Sequence, residues 1–117
     1  MVFDFEKLEA YQKARDFRVK LFSIIFSKNK RERSMLDQLK RASISIILNI
    51  AEGSGKFSRA DKRNFFTTAR GSTYEVVAII NLLYHDDGVI SKEEKDGLYI
   101  DLETSSKMLL GLINSLK

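Results

Sequence analysis

The chain has 117 residues, of which 44% are hydrophobic and 31% charged, so it is long enough for one folded domain and too short for two independent cores. It contains no cysteine, which excludes disulfides, zinc–thiolate sites and cysteine nucleophiles, and its single histidine excludes the paired imidazoles of most catalytic metal sites. No signal segment follows Met1 and no apolar run is long enough to cross a bilayer, so we expect a cytoplasmic protein.

Four helices are predicted in chain order, at residues 6–28, 34–53, 58–86 and 91–116 of a single domain. The absence of proline favours such long helices, and apolar residues recur in each at steps of three and four, which is typical of one buried helix face. On helix 3, this spacing predicts a core face of Phe65, Ala69, Ser72, Val76, Ile79 and Leu83. Because the connections are short, successive helices must run antiparallel. The sequence therefore predicts an all-α fold, an up-down-up-down left-handed four-helix bundle.

Capping signals indicate where these helices begin and end. The first helix begins loosely, whereas each of the other three opens on a serine that is followed three residues later by an acid, as in a capping box. The serine–acid pairs are Ser34 with Asp37, Ser58 with Asp61, and Ser91 with Glu94. Gly53 and Gly88 follow the second and third helices, where a left-handed C-cap residue is expected.

Charge is distributed unevenly along the chain. Residues 1–70 carry 16 Lys and Arg against 8 Asp and Glu, a net charge of +8, whereas residues 71–117 carry 4 against 8, a net charge of −4. This polarity predicts a basic and an acidic surface, which suits nucleic-acid binding or head-to-tail self-association. A merely solvated surface is the alternative.

Helices 2 and 3 have more apolar residues than one buried face requires. On helix 2, the extra apolar residues are Ile44, Leu48 and Ala51. On helix 3, they are Phe66, Tyr74, Val77 and Tyr84, and they alternate with arginines. Exposed aromatic residues beside arginines are typical of interface cores, so we predict subunit association, with an unusually apolar monomer surface as the alternative.

Three other residues of these helices need a structural explanation. Glu52 lies in the last turn of helix 2, where the macrodipole disfavours a negative charge, and Lys56, Arg59 or an arginine of a neighbouring subunit would offset it. Gly71 in mid-helix is expected to allow close helix approach. Glu75 borders the core and would need a donor if covered.

Several segments share a pattern with a known family: FEKL at 5–8, QLKRA at 38–42, NIAEG at 49–53, ARGS at 69–72 and GVI at 88–90. With Ser45 and Glu75, they resemble the four-helix bundle family of 23S rRNA intervening-sequence-encoded proteins along nearly the whole chain. The resemblance implies a bundle that assembles as a ring, typically a homopentamer, and a ribosome-associated role with RNA. The accessory variability determinant of diversity-generating retroelements, which works with a reverse transcriptase, has a similar architecture.

The resemblance also implies that the motif residues serve assembly and packing rather than catalysis. Together with the apolar second faces they form one candidate set for a subunit interface or polar network. The set comprises Arg41, Ser45, Leu48, Asn49, Glu52, Phe66, Arg70, Ser72, Tyr74 and Glu75.

Two basic clusters are candidate RNA contacts, since lysine and arginine neutralise phosphates. The clusters are Lys56, Arg59, Lys62 and Arg63, and Lys28, Lys30, Arg31 and Arg33. Phe57, inside the first cluster, either stacks on a base or packs beside the Ser58 cap as a hydrophobic staple, and we favour the staple. No aromatic-rich RNA-binding signature is present, so sequence-specific recognition is not predicted.

The leading hypothesis is a non-enzymatic homo-oligomer associated with RNA; the alternative is an adaptor scaffold for a protein such as a reverse transcriptase, without direct RNA binding. The sequence before His85 has neither the arginine of a helical nucleotide-binding-domain ribonuclease nor the Glu-x-x-His pattern of a di-iron bundle. We therefore interpret His85 as a residue that binds free carbonyls at a helix C-terminus. The remaining enzymatic hypothesis is that Glu52 and Glu75 act as an acid–base pair, and it is weaker than the non-enzymatic one. No catalytic residue, metal, cofactor, small-molecule substrate or membrane contact is predicted.

Overall fold

The computed structural model describes residues 3–26 and 33–117. After a single 3-10 turn at Asp4–Lys7, four helices follow: α1 at Glu9–Ile25, α2 at Arg33–Ser54, α3 at Arg59–His85 and α4 at Lys92–Ser115. The described residues include no strand. The predicted all-α four-helix bundle is confirmed.

Local hydrogen bonds explain most helix ends. Ser58 Oγ accepts from Asp61 N at 3.0 Å, and Ser91 forms a complete capping box with Glu94, so both predicted caps are confirmed. Gly88 has φ +62°, the left-handed conformation predicted after α3. Ser34 lies inside α2, which begins at Arg33, so the prediction that Ser34 caps the start of this helix is wrong.

The first helix differs from the prediction at its start. Leu8 is extended, with φ −71° and ψ 127°, and it separates the 3-10 turn from α1. The Glu6 carboxylate accepts a hydrogen bond from Phe3 N at 2.7 Å, which closes the turn on itself. The predicted C-terminal part of this helix, residues 27 and 28, lies outside the described residues.

Two contacts give the relative direction of α3 and α4. Arg63, near the start of α3, bonds to Leu116 after α4, and Tyr99, near the start of α4, bonds to Asn81 near the end of α3, so these two helices run antiparallel. Within the described residues α1 packs on α2 and α4 but not on α3. The up-down-up-down order of the four helices and the left-handed twist of the bundle stay predictions.

The core consists of the apolar faces of all four helices. Leu21, Leu39, Ile80 and Leu102 are among its fully buried side chains. Most predicted core positions are confirmed. On α3, however, Phe66 rather than the predicted Phe65 is buried.

Candidate functional site

The contact between α2 and α3 is closed by a small polar network. The hydroxyl groups of Ser45 and Ser72 lie 2.8 Å apart and are hydrogen-bonded, and Asn49 Nδ2 donates to the Ser45 carbonyl at 2.8 Å and to Ser45 Oγ at 3.0 Å. Small side chains allow the helices to approach, and these covered polar groups have partners, as burial requires. Three residues of the predicted interface set therefore make contacts inside one subunit.

Gly53 forms the tightest point of the same contact. A Cβ atom at this position would lie 2.9 Å from Phe65 Cβ and 2.9 Å from Phe66 Cε1, so only glycine fits without a shift of α3. Gly53 is also helical, and α2 continues to Ser54, so the prediction of a left-handed C-cap at Gly53 is wrong. We call Ser45, Asn49, Gly53 and Ser72 the polar seam.

The outer side of α2 is exposed, as predicted. Ile44 and Leu48 are both accessible, and 52% of the Leu48 surface is exposed. Arg41 and Glu52 lie on the same exposed arc of the helix. We call Ile44 and Leu48, with the flanking Arg41 and Glu52, the α2 stripe.

On α3, only part of the predicted second face is exposed. Tyr74 is 57% exposed and is held by Arg70, whose Nη2 donates to Tyr74 Oη at 3.3 Å and whose guanidinium lies 5.1 Å from the ring centroid. Phe66, in contrast, is 4% exposed and belongs to the core, so its assignment to an exposed face is wrong. The two adjacent phenylalanines differ by about 100° around the helix, and the structure buries the second.

An open groove runs between α3 and α4 beside Tyr74. Its main part has a volume of about 650 Å³, and its lining includes Tyr74, Val77, Tyr99 and Leu110. Arg70 crosses its wall and donates from Nε to the Ser106 carbonyl at 3.3 Å. The α4 side of this groove was not predicted. The one available signal is that α4 has adjacent leucines at 109 and 110, and one helix face needs only one of them.

Two residues of the first basic cluster cap neighbouring helices. Lys62 Nζ donates to the Ser54 carbonyl at 2.9 Å, at the end of α2, and Arg63 Nη1 donates to the Leu116 carbonyl at 2.9 Å, just after α4. Cations at helix C-termini satisfy free carbonyls and complement the macrodipole. These two side chains are therefore already engaged within the subunit.

The other two residues of this cluster are exposed. Lys56 Nζ lies 5.0 Å from the Phe65 ring centroid, and neither Lys56 nor Arg59 forms an ion pair with a described residue. Their charges are thus available to an anion. Of the second cluster, Lys28, Lys30 and Arg31 lie outside the described residues, and the structure describes only that α2 includes Arg33.

Phe57 is fully exposed at the tip of the connection between α2 and α3. A hydrophobic staple would bury its ring against the first turns of α3. The staple that we favoured is therefore wrong, and the side chain of Phe57 has no role in the packing of the subunit.

The two glutamates of the family motifs are both exposed. Glu52 makes no ion pair with Lys56 or Arg59, and Glu75 pairs with no described residue. Gly71 is exposed too, and a Cβ there would meet nothing within 4 Å. The prediction that Gly71 brings helices of one subunit together is therefore wrong.

His85 is the last residue of α3, and its ring packs edge-on against Tyr84 with centroids 4.6 Å apart. Its predicted bond to a carbonyl is not observed in the described structure. Residues 3–26 and 33–117 contain no group of three metal-ligating side chains. None of the helices in these ranges has the length and apolar character needed to cross a membrane.

Comparison with known proteins agrees with this geometry. Residues 6–111 match the family described as 23S rRNA-intervening sequence protein. The chain belongs to this family. No curated protein is significantly similar to it. In this 23S rRNA-intervening sequence protein, the polar seam gives two of the motifs a structural role. The contact between α2 and α3 is closed by residues 45, 49 and 53 on α2 and by Ser72 on α3.

Proposed function

We propose that this 23S rRNA-intervening sequence protein is a non-enzymatic homo-oligomer, a ring of five subunits, that associates with RNA such as the 23S rRNA intervening sequence. The observation that supports assembly is the presence of two different exposed apolar surfaces, the α2 stripe and the α3–α4 groove. Contact between two different patches is heterologous, and heterologous contacts close into rings when the rotation permits. The number five rests on the family resemblance.

Association with RNA is supported by the free cations at one end of the bundle. Lys56 and Arg59 are exposed and unpaired within the described structure, and the family takes its name from rRNA. Two phosphate contacts per subunit are few, but a ring repeats them around its axis. Because each neutralised phosphate releases counterions, RNA affinity is expected to fall steeply with salt.

The mass in solution tests the assembly. Five subunits of 13.4 kDa give about 67 kDa, which light scattering of the purified protein measures directly. A mass of one subunit at micromolar concentration would contradict the ring.

Salt-dependent RNA binding tests the second part of the proposal. The Lys56→Glu/Arg59→Glu double variant should weaken RNA binding and reduce the dependence of log K on log salt by about 0.7–0.9 for each lost phosphate contact. The Lys13→Glu/Arg15→Glu variant on exposed positions of α1 changes the net charge equally and serves as the control. Equal losses in both variants would contradict a specific role for Lys56 and Arg59.

The wild-type protein separates this function from the adaptor alternative. An intact ring that retains no RNA at low salt would favour a scaffold for a protein partner such as a reverse transcriptase. RNA binding that decreases with salt and with the double reversal supports the proposal.

A further inference from the structure

The side chain of Phe57 is exposed on a connection whose backbone is held by hydrogen bonds. Gly55 N donates to the Glu52 carbonyl at 3.1 Å and Lys56 N to the Gly53 carbonyl at 3.2 Å, while Ser58 caps α3. The backbone on both sides of Phe57 is therefore held by hydrogen bonds. Burial of a phenylalanine side chain normally stabilises a fold, and this fully exposed ring makes no such contribution within the subunit.

Exposed cationic residues flank Phe57 in the sequence, and the Lys56 ammonium lies over the Phe65 ring. Lys56 precedes Phe57 and Arg59 follows two residues later, and both are exposed and without an ion pair to a described residue. Asp61, the acid nearest to Phe57 in the sequence, follows it by four residues and lies in the first turn of α3. A solvent-exposed aromatic ring with a cationic residue on either side in the sequence is the composition of a single-strand binding site, in which a base stacks while the cations contact the backbone.

A second exposed aromatic residue lies at the same end of the bundle. Phe3 is 64% exposed and stacks on Phe5 with ring centroids 6.1 Å apart. This segment precedes α1, and the start of α1 lines a cleft together with Ser115 of α4. The carbonyl of Leu116, which follows Ser115, accepts a hydrogen bond from Arg63 near the start of α3. The starts of α1 and α3 therefore share one end with the C-terminus of α4.

We infer that Phe57 is a stacking platform for an unpaired RNA base, with Lys56 and Arg59 contacting the phosphates on either side of it. This inference rests on the proposed association with RNA and adds that the bound segment is single-stranded. A base-paired segment has no free base face to offer along its length, so duplex RNA would contact only the cations.

The chain contains no tryptophan, so a Phe57→Trp variant carries a unique fluorescent probe at the site. Titration with a single strand of about 12 adenylates, a length within the usual site size, should quench this fluorescence, and a blunt RNA duplex of equal length should not. The Ile100→Trp variant, at an exposed position of α4, is the control and should stay unquenched with both. Equal quenching at both positions, or by both RNAs, would overturn the inference.

Affinities of the assembled protein complete the test. Phe57→Ala should lower the affinity for the single strand about 5- to 100-fold and leave duplex binding unchanged, whereas Phe57→Tyr should bind as the wild type does. Phe57→Leu keeps an apolar side chain without a stacking face and should behave like Phe57→Ala. Wild-type binding by Phe57→Leu, or a lower assembly mass in Phe57→Ala, would instead assign the ring to a protein contact.

The two proposals fail in different ways. If the wild-type protein binds neither RNA, the proposed function is overturned and the stacking site with it. If the wild type binds and only the Lys56→Glu/Arg59→Glu variant loses affinity, the association with RNA holds and the stacking role of Phe57 is overturned.

Discussion

The two sides of α3 differ in how they meet their neighbours. Towards α2, the contact is closed by serine and glycine residues, and the polar groups of Ser45 and Ser72 satisfy each other at 2.8 Å. Towards α4, an open groove of about 650 Å³ remains, and larger side chains such as Tyr74 and Leu110 line it. Small residues thus complete the contact with α2, whereas the side towards α4 leaves an apolar surface exposed.

The same comparison divides the family motifs into two functional groups. Ser45, Asn49, Gly53 and Ser72 belong to the closed side and explain the stability of the α2–α3 pair. Arg41, Glu52 and Glu75, in contrast, are exposed, and none of them pairs with a described residue. We expect these three to act between subunits, where the polar rim of an interface lies.

Charges placed on the open surfaces should have the largest effect. Leu48→Asp on the α2 stripe, or Tyr74→Asp beside the groove, would place a carboxylate in the proposed interface, where burial of an unpaired charge is strongly unfavourable. We expect the mass in light scattering to fall to that of one subunit while the helical circular dichroism is retained. Val19→Asp, at an exposed position of α1, is the control. An unchanged mass in both interface variants would refute the assignment of these surfaces.

A pair of glycine substitutions tests the closed side against the open one. Gly53→Ala should lower the free energy of unfolding by about 1–3 kcal/mol, because its Cβ would lie 2.9 Å from Phe65 Cβ. Gly71→Ala has free space and should raise it by about 0.5–1 kcal/mol through helix propensity. Each glycine substitution is made separately in the Tyr74→Asp background, so that urea unfolding measures the free energy of unfolding of the subunit without its neighbours. A loss at Gly71 equal to that at Gly53 would contradict the comparison.

The smallest effect is expected at the exposed start of α4. The hydrogen bond from Lys92 lowers the pKa of Asp96 from its usual value of 3.8, and the same bond raises the pKa of Lys92. Because the Asp96 pKa is lower in the folded state, its contribution is present at neutral pH and is lost as the pH falls through the folded value. Asp96→Asn should therefore lower the melting temperature slightly at neutral pH and not in acid. A difference that persisted in acid would show a structural role unrelated to this charge.

Features encoded by local sequence were predicted well. The caps at Ser58 and Ser91 and the left-handed Gly88 depend only on residues within a few positions of each other, and the structure has them as predicted. The apolar repeat likewise located most of the core. On α3 the repeat selected Phe65, whereas the structure buries Phe66. The two positions lie four and three residues before the buried Ala69, so either fits the repeat.

Features that depend on two distant helices were predicted poorly. Lys62 and Arg63 looked like free phosphate contacts, but they cap carbonyls of α2 and of the segment after α4, which no local pattern reveals. Gly53 resembled a helix terminator because its neighbour in space was unknown. To predict the groove, one would need the position of Leu110 relative to Tyr74, and this position depends on the rotation of α4 about its axis relative to α3.

The contact between Lys20 and Asp101 joins residues that are 81 positions apart, whereas Ser45 and Ser72 are separated by 27. Closing a longer loop costs more chain entropy, so we expect the α2–α3 hairpin to form early in folding and α1 to dock on α4 last. Pulse-labelled hydrogen exchange would then protect the amides of α2 and α3 before those of α1. During synthesis, the α2–α3 hairpin would be complete before α4 is translated. The contact between α1 and α4 could form only after α4 has left the ribosome.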